Sequence, residues 1–131
     1  MAENALLWLK EYSLKGIPSS REIKHSGSLD FLMRYLEQSE ISLKGKTILD
    51  LGCGTGRNSF YLTNFGPSKI IAIDFVPELI EKIVKRAKSK NLEKIIKAIC
   101  HNLTKPWPIK NKSIDLIIDI FCLKHQAYIS N

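Results

Sequence analysis

Two rhythms divide the chain. Up to about residue 40, apolar positions return every three or four residues; beyond Lys46 they come in short continuous runs. In the first part, Ala5, Trp8, Leu9 and Tyr12 share one helical face. A polar link rich in Gly, Pro and Ser follows, "SLKGIPSSREIKHSGS". Leu29, Leu32, Met33 and Leu36 then repeat the helical pattern, with Ser26 or Ser28 placed to cap it. In the second part, "KTILDL", "KIIAID", "IIKAIC" and "IDLIIDIF" predict four strands. Between the first two, "RNSFYLTNFG" predicts a helix stopped by Gly66. "VPELIEKIVKRAKSK" predicts a longer helix with Pro77 near its first turn. Its expected buried stripe is Leu79, Ile80, Ile83, Val84 and Ala87, with Glu78–Lys82 and Glu81–Lys85 pairs on the outer side. Strands that are apolar on both faces and alternate with helices imply a parallel sheet covered by helices.

Composition fits that picture. The chain has 131 residues, 44% hydrophobic and 25% charged, as expected of one soluble globular domain. It divides into a helical flank, residues 1–45, and an α/β core, residues 46–131. No apolar run approaches the ~18–20 residues of a membrane span. The opening "MAENALLWLKEYSLKG" lacks the basic start and apolar stretch of a signal peptide. Cys53, Cys100 and Cys122 form no CxxC pair, so no metal site is expected, and scattered single cysteines suit a reducing cytoplasm. The net charge of +7 admits an anionic partner. Yet the densest basic cluster, "EKIVKRAKSKNLEK", alternates with apolar residues at helical spacing and reads as a solvated helix face. Nucleic acid is therefore the less favoured partner, and a small molecule the default.

The candidate chemistry lies in "TILDLGCGTGRNSF". A strand, a glycine loop and a helix make a cradle for a ligand's polar end. Gly52, Gly54 and Gly56 give G-x-G-x-G rather than the G-x-G-x-x-G of dinucleotide sites, so the neighbours must discriminate. Asp50 stands two residues before the first glycine. A carboxylate there would repel a diphosphate by about 1–4 kcal/mol at contact in wet surroundings. It would attract a ligand carrying an ammonium and a sulfonium, as S-adenosylmethionine does, whose own carboxylate could sit near the amides at the helix start. The plainer alternative is that Asp50 only ties down the loop. Asp74 ends the second strand, eighteen positions after Gly56. In a parallel sheet it points into the same crevice, where it could accept both ribose hydroxyls.

With both aspartates in place, "ILDLGCGTGRNSFYL" and "AIDFVPELI" resemble the cofactor-binding half of a class I S-adenosylmethionine-dependent methyltransferase. The resemblance runs from Lys46 to about His125. It implies a Rossmann-like, doubly wound α/β sheet. It also implies that Gly52, Gly54 and Gly56 contact the methionine part, that Asp74 contacts the ribose, and that Cys53, Asn58 and Phe75 belong to the same site. Where the family often has an acid near the adenine amino group, this chain has Asn102, whose carbonyl can accept without charge assistance; a turn role is the alternative. The neighbouring adenine contact maps to the backbone of Leu103. Trp107, between two prolines, could cover the adenine or merely shield the sheet. The segment that meets the acceptor resembles "IDLIIDIFCLKHQ", making Asp119, Phe121 and His125 acceptor-side candidates. Asp119 and His125 are the catalytic ones, with His125 a conceivable general base.

The family sheet has seven strands in the order 3-2-1-4-5-7-6, and four are visible here. The first forty-five residues resemble a lid or flank over the ligand, and "GIPSS" within the link could touch ligand or acceptor. A fourth strand left at an edge would recruit another chain. The expectation is a homodimer with a continuous sheet, 3-2-1-4-4′-1′-2′-3′, against a monomer whose tail "CLKHQAYISN" folds over the edge. Two functions stay open: methyl transfer to an unidentified acceptor, or a truncated module that holds S-adenosylmethionine or its demethylated product without turnover. A nucleotide-binding dehydrogenase is a third and weaker reading.

Overall fold

The structure, a computed structural model, describes residues 2–15, 24–120 and 122. The "GIPSS" link, Phe121 and His125 lie outside the described residues. The elements run α1 (Ala2–Leu14), α2 (Gly27–Gln38), β1 (Thr47–Leu51), α3 (Arg57–Leu62), β2 (Lys69–Asp74), α4 (Pro77–Ser89), β3 (Ile96–Cys100) and β4 (Leu116–Asp119). All strand pairs are parallel, in the order β3-β2-β1-β4. The chain thus steps outward from β1 to β3, then returns to the other side of β1. That reversal opens a crevice at the C-terminal ends of β1 and β4, the usual ligand position in such sheets. The start of β4 is pinned by two bonds: the Thr47 amide donates to Asp115 Oδ2 at 2.8 Å, and the Asp115 amide to the Thr47 carbonyl at 2.9 Å.

Local chemistry sets the helix ends. Ser26, not Ser28, caps α2: its hydroxyl accepts from the Leu29 amide at 3.3 Å, and Asp30 sits in the first turn. Helix α3 passes into a single 3-10 turn, Thr63–Phe65, which Gly66 ends at φ 72°. Helix α4 starts with Pro77 and Glu78 and carries Arg86 and Lys88 in its last turn, charges that suit the helix dipole at both ends. The Glu78–Lys82 and Glu81–Lys85 pairs do not form among the described residues. Long exposed side chains lose more rotamer freedom than such contacts return.

The two faces of the sheet differ. On one, Ile48, Ile70, Ala72, Ile96 and Ile118 meet Leu29 and Leu36 of α2, Phe60 and Leu62 of α3, and Ile80, Ile83 and Ala87 of α4. Each large side chain fully buried there contributes roughly 1.5–3 kcal/mol. On the other, Leu49, Leu51 and Ile73 pack under Leu103, Ile109 and Ile114 of the β3–β4 connection. Helices α2 to α4 therefore lie on one face and the β3–β4 connection on the other. This changes the reading of β4. Its predicted apolarity on both faces holds in sequence, but Ile118 is buried while Ile117 is 51% exposed and Asp119 is exposed. The β3–β4 connection covers Leu49 and Leu51 but stops short of Ile117, the neighbour of Leu49 in the register. Val84 also departs from its predicted stripe and is 51% exposed, while Leu79, Ile80, Ile83 and Ala87 of the same helix are buried. In α1 the predicted face is the half-buried one, with Ala5, Trp8, Leu9 and Tyr12 inward and Leu6, Leu7 and Leu14 exposed.

Candidate functional site

The loop after β1 depends on backbone angles that side chains resist. Gly52 and Gly54 lie at φ 65° and 55°, in the left-handed region. Gly56, at φ 78°, shares that region and is also tightly packed. A Cβ on it would meet Ile83 at 3.0 Å and the Phe60 ring at 3.3 Å, so it lets the loop pack on α3 and α4. A Cβ on Gly52 or Gly54 would instead run into Cys122 or the Tyr12 hydroxyl, which lie over the outer side of the loop. The loop amides are held internally. Cys53 donates to the Ile73 carbonyl at 3.0 Å, Gly54 to Asp74 Oδ2 at 2.9 Å and Gly56 to the Cys53 carbonyl at 2.8 Å.

Three carboxylates gather at the ends of β1, β2 and β4. Asp50 is buried, and the Ser59 hydroxyl donates to its Oδ2 at 2.6 Å. Burial pushes its carboxyl up to about 7; the Ser59 bond opposes this, and the charges of Asp74 and Asp119 add to it. Asp74 is buried with both oxygens engaged, Oδ2 by the Gly54 amide and Oδ1 by the Val76 amide at 3.0 Å. Burial raises its carboxyl too, against the pull of backbone amides. Asp119 is exposed, and its Oδ1 accepts from the Cys122 amide at 2.9 Å. Around them the thiols stay neutral. Cys122 is pushed up to about 12 by burial and by all three carboxylates, and buried Cys53 rises by burial and by Asp50 and Asp74. The end of the sheet is therefore a negative crevice, suited to a cation and hostile to a diphosphate.

The other predicted residues fall into two groups. Asn58 and Asn102 hold the fold locally. The Asn58 side-chain carbonyl accepts from the Ser26 amide at 2.8 Å, joining the start of α2 to α3. The Asn102 carbonyl accepts from the amide and the hydroxyl of Thr104, at 3.0 and 2.9 Å, which is the turn role. Phe75 and Leu103 lie beside the crevice, after β2 and β3. The Phe75 carbonyl accepts from the Cys100 thiol at 3.8 Å, and the Leu103 carbonyl from the Trp107 indole at 3.0 Å. Trp107 thereby closes its own loop, with 38% of its surface exposed. Sequence reasoning missed three participants: Ser59, Tyr12 and Cys122. A hydroxyl nine positions after Asp50, on the sheet side of the following helix, was the readable signal for Ser59. Tyr12 and Cys122 reach the loop only through the tertiary fold.

The sequence model of the family described as Methyltransferase domain matches residues 48–129, more than half of the chain. The chain belongs to the methyltransferase domain family. Among its relatives, O-methyltransferase 3 of Dictyostelium discoideum is 33% identical over 84 residues, covering 61% of this chain and 19% of that protein. Phthiotriol/phenolphthiotriol dimycocerosates methyltransferase of Mycobacterium leprae is 32% identical over 83 residues, covering 63% of this chain and 29% of that protein. The chain thus matches less than a third of the length of either relative. Among solved structures, a proposed S-adenosyl-L-methionine-dependent methyltransferase of Methanococcus maripaludis superposes with a TM-score of 0.56 at 27% identity, covering 65% of this chain and 37% of that one. The four-stranded parallel sheet with flanking helices is thus the first part of a Rossmann-like methyltransferase domain.

Proposed function

We propose that this methyltransferase-family chain binds S-adenosylmethionine at the glycine loop and transfers its methyl group to a small-molecule acceptor. The observation that carries the reading is the cluster of Asp50, Asp74 and Asp119 around the glycine loop, at the point where the sheet reverses order. Three carboxylates there favour a cationic ligand. Cys53 belongs to the loop itself, Asp74 and Phe75 would hold the ribose end, and the backbone of Leu103 the adenine, with Asn102 fixing the turn beside it. The bound cofactor supplies an electrophilic methyl on a sulfonium. The chain's own part is to bind and align, since displacement at that methyl needs an oriented acceptor more than a proton carrier. Asp119, exposed at the end of β4, and His125 after it are the residues proposed to meet the acceptor.

Calorimetry tests the cofactor reading: S-adenosylmethionine is expected to bind more tightly than NAD, and NAD binding without a response to S-adenosylmethionine would overturn it. A methyl-transfer assay against pooled metabolites tests turnover. Binding without turnover would leave the module that only holds the cofactor. The reading includes a cytoplasmic protein, supported by three free thiols, and no helix among the described residues is long and apolar enough to cross a membrane. It also includes a homodimer through β4, supported by that strand's edge position and the exposed Ile117. Light scattering at micromolar concentration should give a dimer, and Ile117→Lys should split it. Ile118 is the poorer site for such a test, because its side chain is buried against the helices and a lysine there would cost folding.

A further inference from the structure

We propose that the end of the domain opposite the crevice is a docking surface for the phosphodiester backbone of a nucleic acid. It stands apart from the cofactor reading, because it uses none of the residues of that site. In sequence the lysines are dispersed, and their densest run reads as a solvated helix face. The fold regroups them. All strand pairs are parallel, so the strands begin at one end of the sheet. Lys46 stands just before β1, Lys69 opens β2 and Lys94 lies shortly before β3. Backbone bonds hold these starts together. The Lys69 amide donates to the Lys46 carbonyl at 3.4 Å, and the Ile70 amide to the Ile95 carbonyl at 2.8 Å. Neighbouring strands lie about 4.8 Å apart, so the three lysines form a row across the sheet. Helix α4 joins two parallel strands and therefore returns to the same end, where it leaves Lys88 and Lys90. On the other flank Lys112 precedes β4, at the end where the Asp115 amide bonds the Thr47 carbonyl.

These lysines are exposed, and no ion pair between described residues engages them. The acids near them are Glu93, Glu37 and Glu40 at the close of α2, and Asp115, whose Oδ2 accepts from the Thr47 amide at 2.8 Å. The surface therefore stays positive, while three carboxylates gather at the C-terminal ends of the strands. A polyanion is drawn to the first end and repelled from the second, so it docks without being the methyl acceptor. Between the lysines the exposed residues are polar, among them Ser68, Ser89, Asn91 and Asn111. A bilayer-binding face needs apolar side chains among its lysines to enter the acyl boundary. A duplex, with one charge per ~1.7 Å of axis, offers the dense anions that a row of lysines matches.

The probes are an RNA duplex of roughly 20 base pairs and the DNA duplex of the same sequence, titrated between about 50 and 200 mM salt. The unaltered chain should bind at low salt and lose affinity steeply as salt rises. Combining Lys46→Ala, Lys69→Ala and Lys94→Ala should weaken binding by about tenfold or more at the lower salt, and flatten the slope of log K against log salt by about 2–3. Arginine at the same three positions should retain binding. Combining Lys10→Ala, Lys82→Ala and Lys105→Ala removes equal charge away from this end and should weaken binding far less. Equal affinity for the two duplexes marks the shared backbone chemistry, and preference for one marks its groove geometry; either supports the surface. Failure of the unaltered chain to bind both duplexes, equal weakening by the two alanine sets, or binding only to vesicles of phosphatidylserine and phosphatidylcholine overturns it.

Discussion

At the end of β2, Asp74 is buried and gives both oxygens to backbone amides; at the end of β4, Asp119 is exposed and accepts from the Cys122 amide. The same contrast runs through the strands behind them. Ile70 of β2 is fully buried between helices and neighbours, while Ile117 of β4 is half in solvent. The β1–β2 side is thus settled by bonds within the chain, and a ligand arriving there meets a preformed shape. On the β4 side, among the described residues, the strand's carboxylate and Ile117 stay exposed.

Breaking the settled side should give the largest effects. Ile70→Ala leaves a cavity beneath the sheet and should cost about 2–5 kcal/mol in urea unfolding. A loss under about 1 kcal/mol would mean that the β2 side is as loose as β4. Next comes pH. Asp50 has a carboxyl raised from 3.8 to about 7 in the fold, so between those values the folded chain holds more proton than the unfolded one. Stability from this group is present below about pH 4 and is lost as pH rises through about 7, by up to about 4 kcal/mol. Asp50→Asn should flatten that part of the urea-midpoint profile. A profile identical to that of the unaltered chain would show that Asp50 is ionised throughout.

Asp74→Ala sharpens the comparison at the site itself. Ligand binding should weaken by roughly 1–3 kcal/mol, the range for lost charged hydrogen bonds. From its position at a strand end one would expect the fold to be untouched. Its two bonds to Gly54 and Val76 predict otherwise, a further loss of about 1–3 kcal/mol in unfolding free energy. Unchanged affinity in a folded variant would remove Asp74 from the ribose role. The smallest effect belongs to the open side: Ile117→Ala should change the unfolding free energy of a monomer by about 0.5 kcal/mol or less. A larger loss that grows with protein concentration would show the edge covered by a second copy.

Much of this was legible in the residues, and the reasons are local. Gly66 stops a helix because it alone enters the left-handed region cheaply, and Ser26 caps because its hydroxyl reaches an unpaired amide. The runs of β1 and β2 are apolar because each is flanked on both sides within the sheet. Val84 and Ile117 were misread for one reason. Periodicity tells which residues could be buried, not whether another element arrives to bury them. Asn102 offered two roles in sequence, and only the position of Thr104 shows which atoms its carbonyl takes.

By itself the sequence determined the parallel α/β class, the helix ends, and the spacing of Asp50, the three glycines and Asp74, because each depends on neighbours a few residues away. The tertiary structure decided that Gly56 lies against Ile83 and Phe60 while Gly52 lies against Cys122, and that Ser59 holds Asp50. It also decided that a tyrosine more than forty residues upstream rests on Gly54. Those facts depend on which surfaces meet after the chain has closed. Such meetings are set by packing and burial over the whole domain, which no short stretch of residues encodes.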